Sequence, residues 1–132
     1  MIRLALYQPD IPQNTGTMLR MAACLGIAAD IVEPAGFDVS DRNFRRAGLD
    51  YLEMLDLTRH PSWGAFEAWR AGRGLRLVLA TTKADLAHTA FGFGPHDIVL
   101  MGRESAGAPD AVHAAADARV AVPMRPAKSD WK

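Results

Sequence analysis

The residues best placed to handle an anion are an asparagine and an arginine around one turn, in the segment Gln8-Pro9-Asp10-Ile11-Pro12-Gln13-Asn14-Thr15-Gly16-Thr17-Met18-Leu19-Arg20. This segment joins an apolar run to an amphipathic one. Ile2 to Tyr7 reads as a buried strand, and Met18, Leu19, Ala22, Ala23 and Leu25 recur at helical spacing until Gly26, a C-terminal stop. The turn therefore lies at the carboxyl end of a first strand, the edge of an open α/β sheet where ligands bind. Asn14 can cap the helix, whose first N–H groups would then face an anion such as a phosphate. Helical side chains lean toward the N-terminus, so Arg20, about a turn and a half inside, can reach the same opening. An ordinary N-cap followed by a surface arginine would look the same.

Three further loops follow apolar runs: Ala80-Thr81-Thr82-Lys83, Gly102-Arg103-Glu104-Ser105-Ala106-Gly107 and Pro123-Met124-Arg125-Pro126. If the strands are parallel, all four loops emerge on one side and can build a site together. Glu104-Ser105-Ala106-Gly107 is part of a nucleophile elbow, but Arg103 stands where the elbow needs its first glycine. His113, close by and on a helix, is poorly placed as its base. Gly102 and Gly107 read better as points where the backbone approaches a flat or phosphorylated ligand.

Neither a dinucleotide fingerprint nor a P-loop follows the first strand. His60, His88, His96 and His113 have no metal-ligand spacing and there is no cysteine pair, so no metal is expected. Arg42, Arg45 and Arg46 share one face of a short helix, and Arg59-His60 adds charge at the end of the next strand. These five residues can track RNA phosphates. A solvated face paired with Asp38, Asp41 and Asp50 is the plainer alternative.

The elements that must position these groups alternate. Ala29 to Glu33 reads as a strand, Asp41 to Ala47 as a short helix capped by Ser40, and Tyr51 to Leu57 as a half-exposed strand. Pro61 can start a helix on which Trp63, Phe66 and Trp69 form a core-facing stripe, with a base-stacking platform as the alternative. Leu75 to Ala80 and Asp97 to Met101 read as central strands, followed by a helix from Pro109 to Ala116 and a strand from Arg119 to Val122. This order predicts one α/β domain, with a parallel sheet covered by helices on both faces.

The bulk numbers agree with such a domain. Hydrophobic residues make up 49% of the 132, which argues against disorder. Fifteen basic and fifteen acidic residues cancel, so any nucleic-acid affinity must be local. The single cysteine, Cys24, excludes an internal disulfide and reads as a buried structural thiol. With no apolar stretch of about 20 residues and no signal-peptide pattern at the start, a soluble cytoplasmic protein is expected.

Taken together, Asn14-x-Gly16-x-x-x-Arg20, Arg45-Arg46-Ala47-Gly48-Leu49-Asp50-Tyr51, Leu79-Ala80-Thr81-Thr82-Lys83, the Gly102 to Gly107 loop and Val122-Pro123-Met124 resemble the SPOUT superfamily. More closely, they are similar to the small tRNA 2′-O-methyltransferases that act on the wobble nucleotide, cytidine or modified uridine, of leucine tRNAs. The resemblance implies a trefoil knot near the C-terminus, a homodimer, the anticodon stem-loop as partner, and S-adenosylmethionine as cofactor. It matches Ala80, Gly102 and Val122 to positions that hold the cofactor largely through backbone groups, with Glu104 and Met124 beside them. It matches Arg20 to the arginine at the ribose 2′-hydroxyl and Asn14 to the asparagine next to it.

Family members continue past Pro-Met into a Ser-Leu-Asn or Ser-Met-Asn motif and a final helix, whereas this sequence runs Arg125-Pro126-Ala127-Lys128-Ser129-Asp130-Trp131-Lys132. The expectation is a single domain over residues 1–132 that lacks this motif and helix, with an incomplete knot and weakened dimer. A non-catalytic RNA-binding remnant and a generic phosphate-binding module are the alternatives.

Overall fold

The computed structural model describes residues 1–37, 55–84, 86–103 and 105–121. The expected helix from Asp41 to Ala47 and the strand end at Val122 lie outside them. In chain order the elements are β1 (Arg3–Tyr7), α1 (Pro12–Leu25), β2 (Ala29–Val32), β3 (Leu57–His60), α2 (Trp63–Gly72), β4 (Arg76–Ala80), β5 (Asp97–Met101), α3 (Asp110–Ala115) and β6 (Ala118–Val120). The strands form one sheet in the order β3-β2-β1-β5-β4-β6. Every pairing is parallel.

Alternation along the strands divides the core between two faces. Leu6, Ala29 and Ile31 meet Leu19 and Ala22 of α1 on one face. Ala5, Tyr7, Val32, Leu77, Leu79, Ile98 and Leu100 meet Phe66 of α2 and Val112 of α3 on the other. Helices on both faces are what the alternating sequence predicts. Phe66 is fully buried with Trp63 and Trp69 packed beside it, so the aromatic stripe is core.

Several local expectations are corrected. Helix α1 begins at Pro12 with Ile11 at its N-cap and no side-chain cap, so Asn14 lies inside the first turn. Proline at the first helical position fixes φ and sacrifices an N–H that would have no helical partner anyway, so the helix can start there. Helix α2 is capped by Ser62, whose Oγ accepts from the Ala65 N–H at 3.1 Å. The third strand is Leu57–His60, in register with Ala29–Val32, whereas residues 51–54 of the expected strand Tyr51 to Leu57 lie outside the described residues. Cys24 is exposed, because the buried stripe of α1 runs through Thr15, Gly16, Leu19 and Ala22.

His60, expected at an RNA-binding surface, is instead buried. Its Nε2 lies 2.9 Å from Oδ1 of Asp30, and its ring packs on Phe66 and Trp69. The fully buried Asp30 carboxylate also takes Arg3 Nε and a terminal nitrogen at 2.9 and 3.1 Å. Asp30 is in register with Ala5 and Thr58, so Arg3 and His60, two positions away on the flanking strands, share its face, the one that α2 covers. His60 therefore ties the sheet together and does not present the exposed charge expected of it.

At the amino end of β5 the Asp97 carboxylate accepts from two nitrogens of Arg76, each at 2.6 Å, and from the Gly94 N–H at 2.7 Å. Chiefly the Arg76 hydrogen bonds hold its pKa below the usual carboxylate value. A depressed folded-state pKa stabilises the fold above the unfolded value and loses that contribution as pH falls through the folded one. Asp97→Asn is therefore expected to cost about 1–3 kcal/mol at neutral pH. In urea unfolding followed by circular dichroism, its deficit against wild type should shrink below about pH 4.

Candidate active site

Because all six strands are parallel, the turns after β1, β4 and β5 share one edge of the sheet. Between the β4 and β5 loops lies a cleft of about 560 Å³, lined by Ala80, Thr81, Thr82 and Lys83 on one side and Gly102, Arg103 and Ser105 to Ala108 on the other. Met101 and His113 complete it. A second cleft of about 580 Å³ lies at the amino edge among Met1, Arg3, Asp56, Arg73 and His96. Active sites of open parallel sheets sit at carboxyl ends, and the glycine-bearing loop is there, so the first cleft is the candidate.

The β5 loop is drawn tight by its own backbone. The Arg103 carbonyl accepts from the Gly107 N–H at 2.6 Å, and Gly107 adopts φ 68°, a left-handed conformation that suits glycine. A Cβ on Gly102 would lie 2.7 Å from the Ala108 nitrogen and 2.9 Å from the Gly107 carbonyl carbon. Only glycine fits there without moving the loop. Ala80 and Gly102, two of the expected cofactor contacts, thus line the same cleft, whereas Glu104, Val122 and Met124 lie outside the described residues.

A hydrogen-bond chain fixes the other wall. His113 Nδ1 lies 3.1 Å from the Pro109 carbonyl, which can only accept, so the neutral ring carries its proton on Nδ1. Its Nε2 then accepts from the Thr81 hydroxyl at 2.7 Å, while Thr81 Oγ1 accepts from the Lys83 N–H at 3.2 Å. Sequence reasoning considered His113 only as a poor hydrolase base. The four-residue spacing between Pro109 and His113 was the available signal for this arrangement.

Asn14 and Arg20 do not line the cleft. Both are exposed on α1, where Gln13, Asn14, Thr17 and Arg20 share the outward face. The connection between that helix start and the cleft is Arg103, which lines the cleft and donates from Nε to the Gln8 carbonyl at 2.8 Å. Arg59 at the end of β3 pairs with Glu33 at the end of β2 and keeps about half of its side chain, 47%, exposed. Arg42, Arg45 and Arg46 lie outside the described residues. Among the described residues no group of three or more His, Cys, Asp and Glu side chains could hold a metal.

An open, all-parallel α/β sheet with a glycine-bounded cleft at its carboxyl edge defines the class. Within it, the chain belongs to the SpoU rRNA Methylase family, whose model matches residues 1–129. A relative from Beijerinckia indica subsp. indica, named tRNA (cytidine(34)-2′-O)-methyltransferase, is 67% identical over 93% of this chain and 77% of its own length. A solved structure described as giving structural insights into the 2-OH methylation of C/U34 on tRNA aligns with TM-score 0.88 and 36% identity, covering all of this chain and 86% of that one. The SpoU methyltransferase AviRb from Streptomyces viridochromogenes, solved with AdoMet, aligns with TM-score 0.83 and 28% identity over all of this chain and 54% of its own.

Gly102→Ala checks the cleft assignment. Forcing a methyl into the closed loop costs about 1–3 kcal/mol. Calorimetric affinity for S-adenosylmethionine should fall by about tenfold while the far-ultraviolet spectrum stays native.

Proposed function

We propose that this chain is an S-adenosylmethionine-dependent tRNA methyltransferase that modifies the ribose 2′-oxygen of the wobble nucleotide, cytidine or a modified uridine. The carrying observation is the Ala80–Gly102 cleft at the carboxyl edge of the sheet, in a chain so similar to the Beijerinckia enzyme. The cleft's size lies within the range of about 300–1,000 Å³ usual for small-ligand sites. Its closed glycine loop, backbone groups and few hydroxyls suit a nucleoside held mainly through the main chain. S-adenosylmethionine, when bound, supplies a sulfonium-linked methyl group open to displacement by an oxygen nucleophile.

The chain's own residues then have to bind, orient and stabilise. Thr81, fixed by His113 and Lys83, keeps one wall of the cleft in place. In this reading Arg20 meets the substrate ribose with Asn14 beside it. A guanidinium is not deprotonated in proteins, so Arg20 serves as an electrostatic stabiliser of charge developing on the 2′-oxygen, not as a base. A substrate phosphate or water takes the proton. Much of the rate comes from holding the hydroxyl in line.

Arg42, Arg45, Arg46 and Arg59 contact the backbone of the anticodon stem-loop. The 2′-hydroxyl requirement makes the partner RNA rather than DNA. The exposed Met21 and Leu25 of α1 are apolar surface that a second copy of the chain would cover, in keeping with a homodimer. Residues 1–132 act as one domain in the cytoplasm. No described helix is long and apolar enough to cross a membrane.

The deciding experiment is transfer of labelled methyl from S-adenosylmethionine to unmodified tRNA, with mapping of the modified ribose. Label at nucleotide 34 supports the reading, and its absence from tRNA overturns it. Arg20→Lys should lower kcat by about 100-fold or more with little change in tRNA affinity. Nearly full turnover would exclude the proposed role. Replacing Arg45 and Arg46 by alanine should weaken tRNA binding and reduce the slope of affinity against salt by about one per contact.

A further inference from the structure

The side chain of Arg103 spans the crevice between the cofactor-type loop after β5 and the turn after β1. Its backbone belongs to the first: the Arg103 carbonyl closes the loop onto Gly107, and the residue lines the cleft. Its side chain belongs to the second. Nε donates to the Gln8 carbonyl at 2.8 Å and stands 3.7 Å from Oδ2 of Asp10, across 95 positions of sequence from Gln8. β1 and β5 are neighbours at the centre of the sheet, so this contact crosses the carboxyl ends of the central strand pair.

The surroundings make room for the link and hold it. Gly36, from the segment after β2, donates its N–H to the Pro9 carbonyl at 2.8 Å. A Cβ on Gly36 would lie 2.7 Å from the Asp10 Cβ and 3.6 Å from a terminal nitrogen of Arg103. No larger residue fits beside the pair without moving Asp10. Gln8 itself has φ 41°, the only positive φ among the described residues other than glycines. Such a conformation is unfavourable for a residue with a Cβ and persists where neighbours determine it from both sides. Here the Gln8 N–H is fixed on the Val32 carbonyl at 2.8 Å, and its carbonyl is fixed on Arg103.

We propose that Arg103 is a positioning residue that couples the cofactor cleft to the β1–α1 turn, so that filling the cleft stabilises the turn in its RNA-binding form. A ligand seated against the 102–107 loop orders the backbone of Arg103. The ordered guanidinium holds the Gln8 peptide, and with it the start of the helix that carries Asn14 and Arg20. Coupling of this kind is reciprocal, so tRNA must raise cofactor affinity by the same factor. The inference rests on the reading of the chain as a cofactor-dependent tRNA methyltransferase.

The test measures affinities, not turnover. Binding of unmodified tRNA to the full chain is titrated with and without saturating S-adenosylhomocysteine, and binding of S-adenosylhomocysteine is titrated with and without tRNA. Wild type should show the same tightening, about fivefold or more, in both directions. In Arg103→Met the tightening should fall to about one in both directions, read as the ratio of affinities with and without the second ligand. Arg103→Lys keeps the charge near Asp10 but loses the directed Nε–H of the guanidinium, and should retain less than half of the coupling. If Arg103→Met does not fold, the lysine variant carries the same comparison. Undiminished coupling in the variants, or wild type binding both ligands without coupling, overturns the role of Arg103. Wild type binding neither ligand overturns the underlying functional reading as well.

Discussion

Parallel pairing of all six strands is the constraint on which the remainder of the molecule depends. It sends the turns after β1, β4 and β5 to a single edge and requires each connection to cross a face of the sheet. Helices α1, α2 and α3 lie in three of those connections, and they bury the two sets of alternating strand residues. The buried Asp30 carboxylate reinforces the arrangement at one place, gripping Arg3 of β1 and His60 of β3 across its own strand. A carboxylate without water is costly unless fully hydrogen-bonded, so this cluster favours one register of three strands over a slipped one.

The same constraint explains how a site arises from short, weak motifs. None of the loops is by itself a binding element, and the glycines at 102 and 107 would be unremarked elsewhere. Brought to one edge, the β4 and β5 loops enclose a cleft whose walls are set by backbone closure on one side and by the Thr81–His113 hydrogen bond on the other. Arg103 then joins this cleft to the β1 turn. The cleft and the helix start are therefore neighbours with a mechanical link, although no residue of α1 lines the cleft.

Strands and helices with strong periodicity were legible in the sequence. Asp97 to Met101 was read to its ends, and the Trp63, Phe66 and Trp69 stripe was read as core. What failed did so for local reasons. Pro12 starts α1 before Asn14 can cap it, and the buried stripe of α1 passes Cys24 by. His60 looked like a surface cation because charge is visible in sequence and a buried partner is not; Asp30 lies on a different strand. Ala80 and Gly102, which the motifs single out, both line the cleft, and the Arg103–Gln8 contact had no such signal, because a link across 95 positions has no periodicity to betray it.

The sheet order also governs how the chain can fold as it is made. Arg3 of β1 pairs with Ile98 of β5, so the centre of the sheet cannot close until nearly the whole described chain has been synthesised. Until then β1, β2 and β3 can form only a half-sheet with one long apolar edge unpaired, and such an edge is prone to pair with other chains. A fold dominated by distant pairings is also slow. The central position of β1, which brings its turn beside the cleft, thus leaves one edge of that strand unpaired until β5 has been made.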